Sequence, residues 1–359
     1  MSPSTAPARG PNLIKALQVA VESVNTQNGI NGKPVKLIME DEGPSAATAL
    51  YAAHKLVEKS HVRVIIGGTT SENVLALGPY VEDKGVFLIS PTATSSTLSN
   101  YGWSKWAFRV PPGDSLQGGV AARIMRDKGY KKIAMLVQDS IYGRGIESTT
   151  REFLRGLADV VAAVKYDPEK QSYFSELNAI RDSKPDCVLH AGYYVDGAVI
   201  YGQALQLGMD TLPWIAVDGV YDMPLDKYTD AAKFMEKAVT GTVSVPDRKS
   251  TIYTEFADRY KALYGFTPTI YCDAAYDAVN LVAAGIRESN GYQGSSIRDA
   301  VLAVGNGYHG ASGVITFNSS GEREAGIYGI WKVVQNGPQY EFQITGQPVN
   351  FTRSVGAFR

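Results

Sequence analysis

The chain has 359 residues, a length that suggests two domains rather than one at about 150 residues per domain. Hydrophobic residues make up 44% and charged residues 20%, which is typical of a globular protein with a large core and excludes disordered and collagen-like chains. The 35 basic and 36 acidic residues give a formal net charge of −1, which argues against a nucleic acid or an anionic membrane surface as partner.

Cysteine and histidine usage indicates neither a disulfide framework nor a metal site. Cys187 and Cys272 are each expected to be buried thiols, and the four histidines lack the spacing of zinc ligands. No stretch approaches the roughly 20 apolar residues that span a bilayer, and no secretory leader precedes the first helix. Because the first residues read like the middle of a domain, we expect the N-terminus to be trimmed.

Helical and strand periodicities alternate along the chain, which predicts an α/β fold with parallel sheets wrapped by helices. Predicted helices cover 11–25, 45–59, 71–84, 115–128, 145–155, 175–183, 198–207, 251–264, 272–289 and 297–304. Predicted strands cover 35–39, 62–66, 86–89, 133–137, 160–164, 187–191, 214–217, 238–243, 313–317, 327–334 and 340–344. Breaker segments near 111–113 and at Pro246 divide the pattern into two α/β runs.

Small hydroxyl residues follow two neighbouring strands of the first run. Residues 67–71 follow the strand at 62–66 and end in Ser71 at a helix start, and residues 90–96 contain Thr92 and Thr94. The carboxyl ends of parallel strands open onto the ligand crevice of such sheets, and hydroxyls beside a helix N-terminus suit a carboxylate. The first run therefore predicts a carboxylate-binding site.

The strand ends of the second run carry aromatic rings and one carboxylate. Tyr142 follows the strand at 133–137, Tyr193 and Tyr194 follow 187–191, and Asp218 follows 214–217. Aromatic faces with a carboxylate suit an ammonium group, through cation–π contact and a charge-assisted hydrogen bond.

An alternative from another class is a nucleotide-dependent α/β enzyme. The segment Gly143-Arg144-Gly145-Ile146-Glu147-Ser148 is close to the dinucleotide fingerprint Gly-x-Gly-x-x-Gly. However, its third position is Ser, and Asp139-Ser140-Ile141-Tyr142 intervene between the strand and the first Gly, which lengthens a turn that must be tight.

Several of these motifs together resemble a known family. The segments at 28–35, at 64–67 with Ser71, at 89–94, at 108–110 and at 142–143 are similar to the branched-chain amino-acid class of ABC-transporter substrate-binding proteins. This is the Leu/Ile/Val-binding family of type I periplasmic binding proteins, and the similarity covers essentially the whole chain.

The resemblance implies two doubly wound, three-layer α/β/α lobes joined by three crossing segments that close over a ligand in the cleft between them. Lobe one would comprise residues 1–112 and 245–326, and lobe two residues 113–244 and 327–359. Family members usually begin with a strand that this chain lacks, which is a second reason to expect a trimmed N-terminus.

The resemblance also implies ligand contacts. Ser71, Thr92 and Thr94, with Ala93 in the same loop, would hold the ligand carboxylate, while Tyr142, Tyr193 and Asp218 would hold its ammonium group. Arg9 stands where family members often place an aromatic residue against the ligand side chain. Because a buried cation needs an anionic or polar partner, Arg9 favours a polar or acidic ligand side chain over leucine.

The function implied is capture, without catalysis, of an amino acid (branched-chain or polar) or a similar small carboxylate. The protein would be a monomer outside the cytoplasm, periplasmic or extracellular, and secreted or lipid-anchored. It would deliver its ligand to the membrane permease of an ABC importer and would need no metal or cofactor. The alternative within the same fold is a ligand-sensing regulatory module that binds an amide or an aromatic acid.

Overall fold

The computed structural model describes residues 9–43 and 45–352, apart from the side chain of Arg9, and separates into two compact units. The described part of unit 1 consists of the chain up to Gly113, Val245–Ile327 and Thr352, and unit 2 consists of Asp114–Ser244 and Tyr328–Phe351. Both units are therefore discontinuous in sequence.

Helices and strands alternate through most of the described chain. The helices are α1 (Arg9–Thr26), α2 (Ala46–His54), α3 (Ser71–Lys84), α4 (Asp114–Asp127), α5 (Ile141–Leu154), α6 (Phe174–Asp182), α7 (Tyr194–Gln206), α8 (Thr229–Ala238), α9 (Thr251–Tyr264), α10 (Cys272–Glu288) and α11 (Gly294–Val304). The strands are β1 (Val64–Ile66), β2 (Phe87–Ser90), β3 (Ala107–Pro112), β4 (Lys132–Gln138), β5 (Asp159–Tyr166), β6 (Cys187–Ala191), β7 (Trp214–Ala216), β8 (Val239–Ser244), β9 (Asn306–Gly310), β10 (Gly313–Thr316), β11 (Glu322–Arg323), β12 (Ala325–Asn336) and β13 (Gln339–Thr352).

Unit 1 is built on a parallel sheet with the strand order β1-β2-β3-β11. Phe87 and Phe108 on this sheet pack against Ala278 and Leu281 of α10, while Val279 on another side of α10 contacts α1. Helix α10 thus packs on the sheet that the first chain segment forms. It can do so because its small and apolar residues face both the sheet and α1.

Unit 2 is built on a mixed sheet with the strand order β13-β12-β8-β7-β6-β4-β5. The pairs from β8 to β5 are parallel, and β12 runs antiparallel to β8. Because β5 and β6 flank β4 on opposite sides, the direction of winding reverses at β4. Such a reversal is the place where doubly wound sheets open a crevice at the carboxyl ends of their strands.

The predicted α/β class is confirmed, but several local predictions are wrong. Residues 35–39 form no strand, and no described strand pairs with them; instead, Val35 is held by the Asn25 side chain, which accepts its N–H at 2.7 Å. A short apolar run makes a strand only where a neighbour supplies backbone partners. The sequence also failed to reveal β3, in which Arg109 interrupts the apolar run, and the amphipathic helix α8.

Helix α5 begins four residues earlier than the sequence predicts. Ser140 caps it by accepting the N–H of Gly143 at 3.0 Å, so Gly143 and Gly145 lie inside the helix. The dinucleotide fingerprint requires these glycines in a turn before the helix, and this segment therefore does not have the geometry of a dinucleotide-binding turn.

Cys187 and Cys272 are buried thiols, as predicted. Burial raises the pKa of the Cys187 thiol to about 12, which makes the thiolate inaccessible at neutral pH. No helix among the described residues is long and apolar enough to cross a membrane.

Candidate functional site

The ends of three adjacent strands in unit 2 bring together the residues predicted to bind an ammonium group. Tyr142 lies in the first turn of α5 after β4, Tyr193 caps α7 after β6, and Asp218 follows β7. Because β4, β6 and β7 are neighbours in the sheet, the three side chains meet at its carboxyl edge.

Tyr142 and Asp218 form the centre of this group, which we call the acidic–aromatic site (Tyr142, Tyr193, Asp218). The Tyr142 hydroxyl donates to Asp218 Oδ1 at 2.8 Å and accepts the N–H of Gly219 at 3.1 Å. The Tyr142 ring stacks on Tyr193 with centroids 5.0 Å apart and planes 20° apart. A buried carboxylate beside two aromatic rings is the arrangement that favours an organic cation.

Glycine at position 219 lets two of the strand ends approach closely. A Cβ on Gly219 would lie 2.1 Å from the carbonyl oxygen of Gly192, far inside any allowed contact. Any larger residue at Gly219 would therefore force apart the two loops that carry Tyr193 and Asp218.

In unit 1 the two hydroxyl-rich loops lie side by side at the ends of β1 and β2. Ser90 Oγ donates to the carbonyl of Gly68 at 2.7 Å and accepts the N–H of Ala93 at 2.9 Å. The N–H of Ser95 donates to Ser71 Oγ at 3.2 Å. These bonds brace one loop against the other, and we call the pair the hydroxyl loops (residues 67–71 and 90–95).

The hydrogen bonds distinguish the hydroxyls that can serve a ligand. Thr92 donates its hydroxyl proton to the carbonyl of Thr69 at 2.7 Å, so it has no proton left to give to a carboxylate. Ser71 Oγ acts as an acceptor in its contact with Ser95, which leaves its own proton uncommitted by that bond. Ser71 also opens α3, where the first N–H groups have no intrahelical acceptor. Thr94 is buried at the end of the same loop pair.

Glu42 is a residue of this region that the sequence analysis missed. Its carboxylate accepts the N–H groups of Gly68 and Thr69, each at 3.1 Å, and the Thr69 hydroxyl. Burial raises the pKa of Glu42. Glu42 precedes the first loop by 26 residues and lies among other acidic residues, so no local pattern marks it as a loop partner.

We predict that the hydroxyls contribute unequally to ligand affinity. Ser71→Ala and Thr94→Val should each weaken binding of an amino acid about tenfold, the effect of losing a hydrogen bond to a charged group. Thr92→Val should weaken it less, because that hydroxyl bonds to Thr69 instead. Isothermal titration calorimetry checks this order, and unchanged affinity in both Ser71→Ala and Thr94→Val would remove the hydroxyl loops from the site.

Arg9, the remaining predicted ligand residue, has a side chain outside the described part of the structure. Among the residues that are described, no cluster of three or more His, Cys, Asp or Glu side chains could hold a metal ion. The predicted residues thus assemble into one set in unit 1 and one in unit 2.

Sequence comparison with known proteins places the chain in a family. Residues 1–335 match the family described as "Periplasmic binding protein". One relative, the Leu/Ile/Val-binding protein BraC3 of Rhizobium johnstonii, is 26% identical over 92% of this chain and 90% of its own length. Another, the leucine-, isoleucine-, valine-, threonine- and alanine-binding protein of Pseudomonas aeruginosa, is 24% identical over 85% of this chain and 80% of its own.

Solved structures give the same result for the fold. The substrate-binding protein LivJ of Streptococcus pneumoniae, in complex with isoleucine, superposes with a TM-score of 0.79 at 25% identity and covers 94% of this chain and 95% of its own. The leucine-binding protein LivK of Thermotoga maritima superposes with a TM-score of 0.83 at 23% identity, covering 98% and 97%. The predicted type I fold and family are confirmed: the chain belongs to the periplasmic binding protein family.

Proposed function

We propose that this protein is the extracytoplasmic solute-binding component of an ABC importer and that its ligand is a free amino acid. The observation that carries the proposal is the buried carboxylate of Asp218 at the acidic–aromatic site, hydrogen-bonded to Tyr142 at 2.8 Å. A buried carboxylate is costly unless a cation or several donors compensate it, and an α-ammonium group supplies both charge and donors.

The hydroxyl loops of unit 1 suit the carboxylate group of a free amino acid. The Ser71 hydroxyl and the N-terminal turn of α3 present hydrogen-bond donors and a positive dipole end, which together favour a carboxylate. An amino acid carries both kinds of group, an ammonium that suits the acidic–aromatic site and a carboxylate that suits the hydroxyl loops. The protein binds this ligand without altering it and passes it to a membrane permease.

The alternative ligand, an aromatic acid, fits these residues less well. Such an acid would satisfy the hydroxyl loops but would bring no cation to Asp218. A regulatory module that senses an aromatic acid would therefore be expected to carry a neutral residue at this position.

A thermal-shift screen tests the proposal. We expect at least one of the standard amino acids to raise the melting temperature, because a ligand that binds only the folded state stabilises it by mass action. Benzoate should give no comparable shift. Absence of a shift with every amino acid, or a larger shift with benzoate, would contradict the proposal. Leucine, glutamate and glutamine belong in the screen with Arg9→Ala, since Arg9 predicts that the polar side chains bind more tightly than leucine.

A further inference from the structure

A chain of buried polar side chains lies behind the acidic–aromatic site in unit 2. Its members are Tyr166 at the end of β5, His190 on β6, and Asp196 and Tyr201 on α7, and all four are buried. His190 Nδ1 lies 2.7 Å from the Tyr201 hydroxyl, and His190 Nε2 lies 3.1 Å from the Tyr166 hydroxyl, which in turn donates to Asp196 Oδ2. None of these side chains has a role in the proposed function so far.

The ionised carboxylate of Asp196 can only accept hydrogen bonds, and it therefore fixes the direction of donation along this chain of side chains. Tyr166 donates its only proton to Asp196, so the Tyr166 oxygen must accept from His190 Nε2–H. His190 is neutral, because burial lowers its pKa to about 3, and its Nδ1 therefore accepts the proton of Tyr201. Each polar hydrogen of the Tyr166, His190 and Tyr201 side chains then has an acceptor in a single pattern, which makes the chain rigid.

Asp196 connects this chain to the ligand site. Its carboxylate also accepts the backbone N–H of Tyr193, the residue whose ring stacks on Tyr142. A Cβ on the preceding Gly192 would overlap the Tyr166 hydroxyl and lie 2.8 Å from Asp196 Oδ2. The loop at residues 192–193 is thus held against the carboxylate and the Tyr166 hydroxyl at once, without a side chain between them.

We propose that Asp196 is a positioning residue that fixes the 192–193 loop, and with it the ring of Tyr193, in the arrangement that receives the ligand's ammonium group. This inference rests on the proposed function. Asp196 acts on the acidic–aromatic site through the hydrogen bonds that it accepts from the Tyr193 N–H and the Tyr166 hydroxyl.

The surroundings of Asp196 make its hold on the 192–193 loop sensitive to pH. The titratable groups that face it are Tyr166 of β5, Tyr173 before α6, and Tyr201 of its own helix, with His190 one hydrogen bond further along the chain. From the loop after β7, Val220 and Met223 pack on the neighbouring Gly197. Burial in these surroundings raises the pKa of Asp196 to about 7, against hydrogen bonds from Tyr166 and from the backbone that lower it. Protonation near neutrality therefore weakens the acceptor for the Tyr193 N–H.

The test combines calorimetry with amide hydrogen exchange on the full chain. The probe is the amino acid that gives the largest thermal shift. Between pH 7.5 and pH 6 we expect wild-type affinity to fall about tenfold, the effect of weakening a charge-assisted hydrogen bond, and Asp196→Asn to bind weakly at both pH values. Tyr166→Phe should weaken binding in the same direction. Tyr173→Phe is the matched control, because its ring packs on Tyr166 at 5.2 Å while its hydroxyl bonds to the Asp167 carbonyl, outside the chain.

A stability measurement separates positioning from simple support of the fold. The pKa of Asp196 is about 7 in the folded protein and near 3.8 when unfolded, so the folded state binds more protons between these values and loses stability as the pH rises. Asp196→Asn removes that loss, and at pH 7.5 its melting temperature should match or exceed the wild-type value although its affinity is lower. A lower melting temperature with unchanged affinity would overturn the proposal.

The exchange measurement needs no ligand and keeps the two proposals apart. The Tyr193 amide should exchange slowly in the wild-type protein and faster in Asp196→Asn, with Tyr173→Phe unchanged. Equal protection in wild type and Asp196→Asn would overturn the positioning role whatever the ligand. If the exchange rates are as expected but no amino acid binds, the proposed function alone would be overturned.

Discussion

Replacing Asp218 by Asn is expected to weaken amino-acid binding about 100-fold. Removing one partner from a buried, hydrogen-bonded charge pair costs about 3 kcal/mol, which corresponds to that factor. The Asn side chain can still accept the Tyr142 proton, whose bond to Asp218 is 2.8 Å long, so the site should keep its shape. Isothermal titration calorimetry of wild type and Asp218→Asn with the same amino acid measures the effect.

Two controls show whether charge at this position is the cause. Asp139→Asn makes the same chemical change at an exposed carboxylate just after β4, paired with Arg144 at 2.6 Å, and should leave affinity unchanged. A ligand without the amino group, such as 4-methylpentanoate in place of leucine, should bind the wild-type protein weakly and should gain from Asp218→Asn. Equal affinities of wild type and Asp218→Asn for the amino acid would exclude Asp218 as the ammonium partner.

The sequence predicted which side chains lie together at the strand ends better than it predicted their hydrogen bonds. Tyr142, Tyr193 and Asp218 each come within four residues of a strand end, and the order of parallel strands then brings them to one edge of the sheet. This inference needs only local patterns and a general rule about strand ends. The same rule placed Ser71, and Thr94 beside it, in the hydroxyl loops.

The hydrogen-bonding roles depend on partners distant in sequence. Thr92 was predicted to serve the ligand, but the structure gives its proton to Thr69, 23 residues away. Glu42 bonds to a loop 26 and 27 residues later, and Asp196 to Tyr166, 30 residues earlier. No spacing in the sequence encodes such pairs, because they form only after the strands have assembled.

The missing strand at 35–39 shows a related limit. A short run rich in apolar residues gives a segment the capacity to pair but does not supply the neighbouring strand. Here the Asn25 side chain provides both a donor and an acceptor to Val35, at 2.9 and 2.7 Å, and so satisfies backbone groups that a strand would otherwise pair. A side chain of a preceding helix is not visible to a periodicity argument.

The largest effect on stability is expected in unit 1, for Asp277→Ala. Asp277 on α10 accepts the backbone N–H groups of Ala311 and Ser312, each at 2.7 Å, and the Ser312 hydroxyl at 2.6 Å. Arg323 donates to the same hydroxyl and to the Ser312 carbonyl, both at 2.9 Å. Removing the carboxylate leaves three buried donors without it and Arg323 with less compensating charge. We expect the free energy of unfolding of unit 1 to fall by about 3–5 kcal/mol.

Amide exchange in α10 at pH 7.5 reports this loss for unit 1 alone, and Asp299→Ala, at an exposed carboxylate on α11, should show almost none.

Asp273→Asn should act in the opposite direction. Burial raises the pKa of Asp273 and of Asp277 to about 6, and the two carboxylates repel each other. Because the unfolded value is near 3.8, the folded state binds more protons between pH 4 and 6, and wild-type stability falls as the pH rises through that range. Asp273→Asn removes one charge of the pair while keeping its size, so it should stabilise unit 1 by about 1–3 kcal/mol at pH 7.5 and flatten the pH dependence. Slower exchange in Asp277→Ala than in wild type would contradict the stabilising role of Asp277. Faster exchange in Asp273→Asn than in wild type would contradict a destabilising repulsion between the two carboxylates.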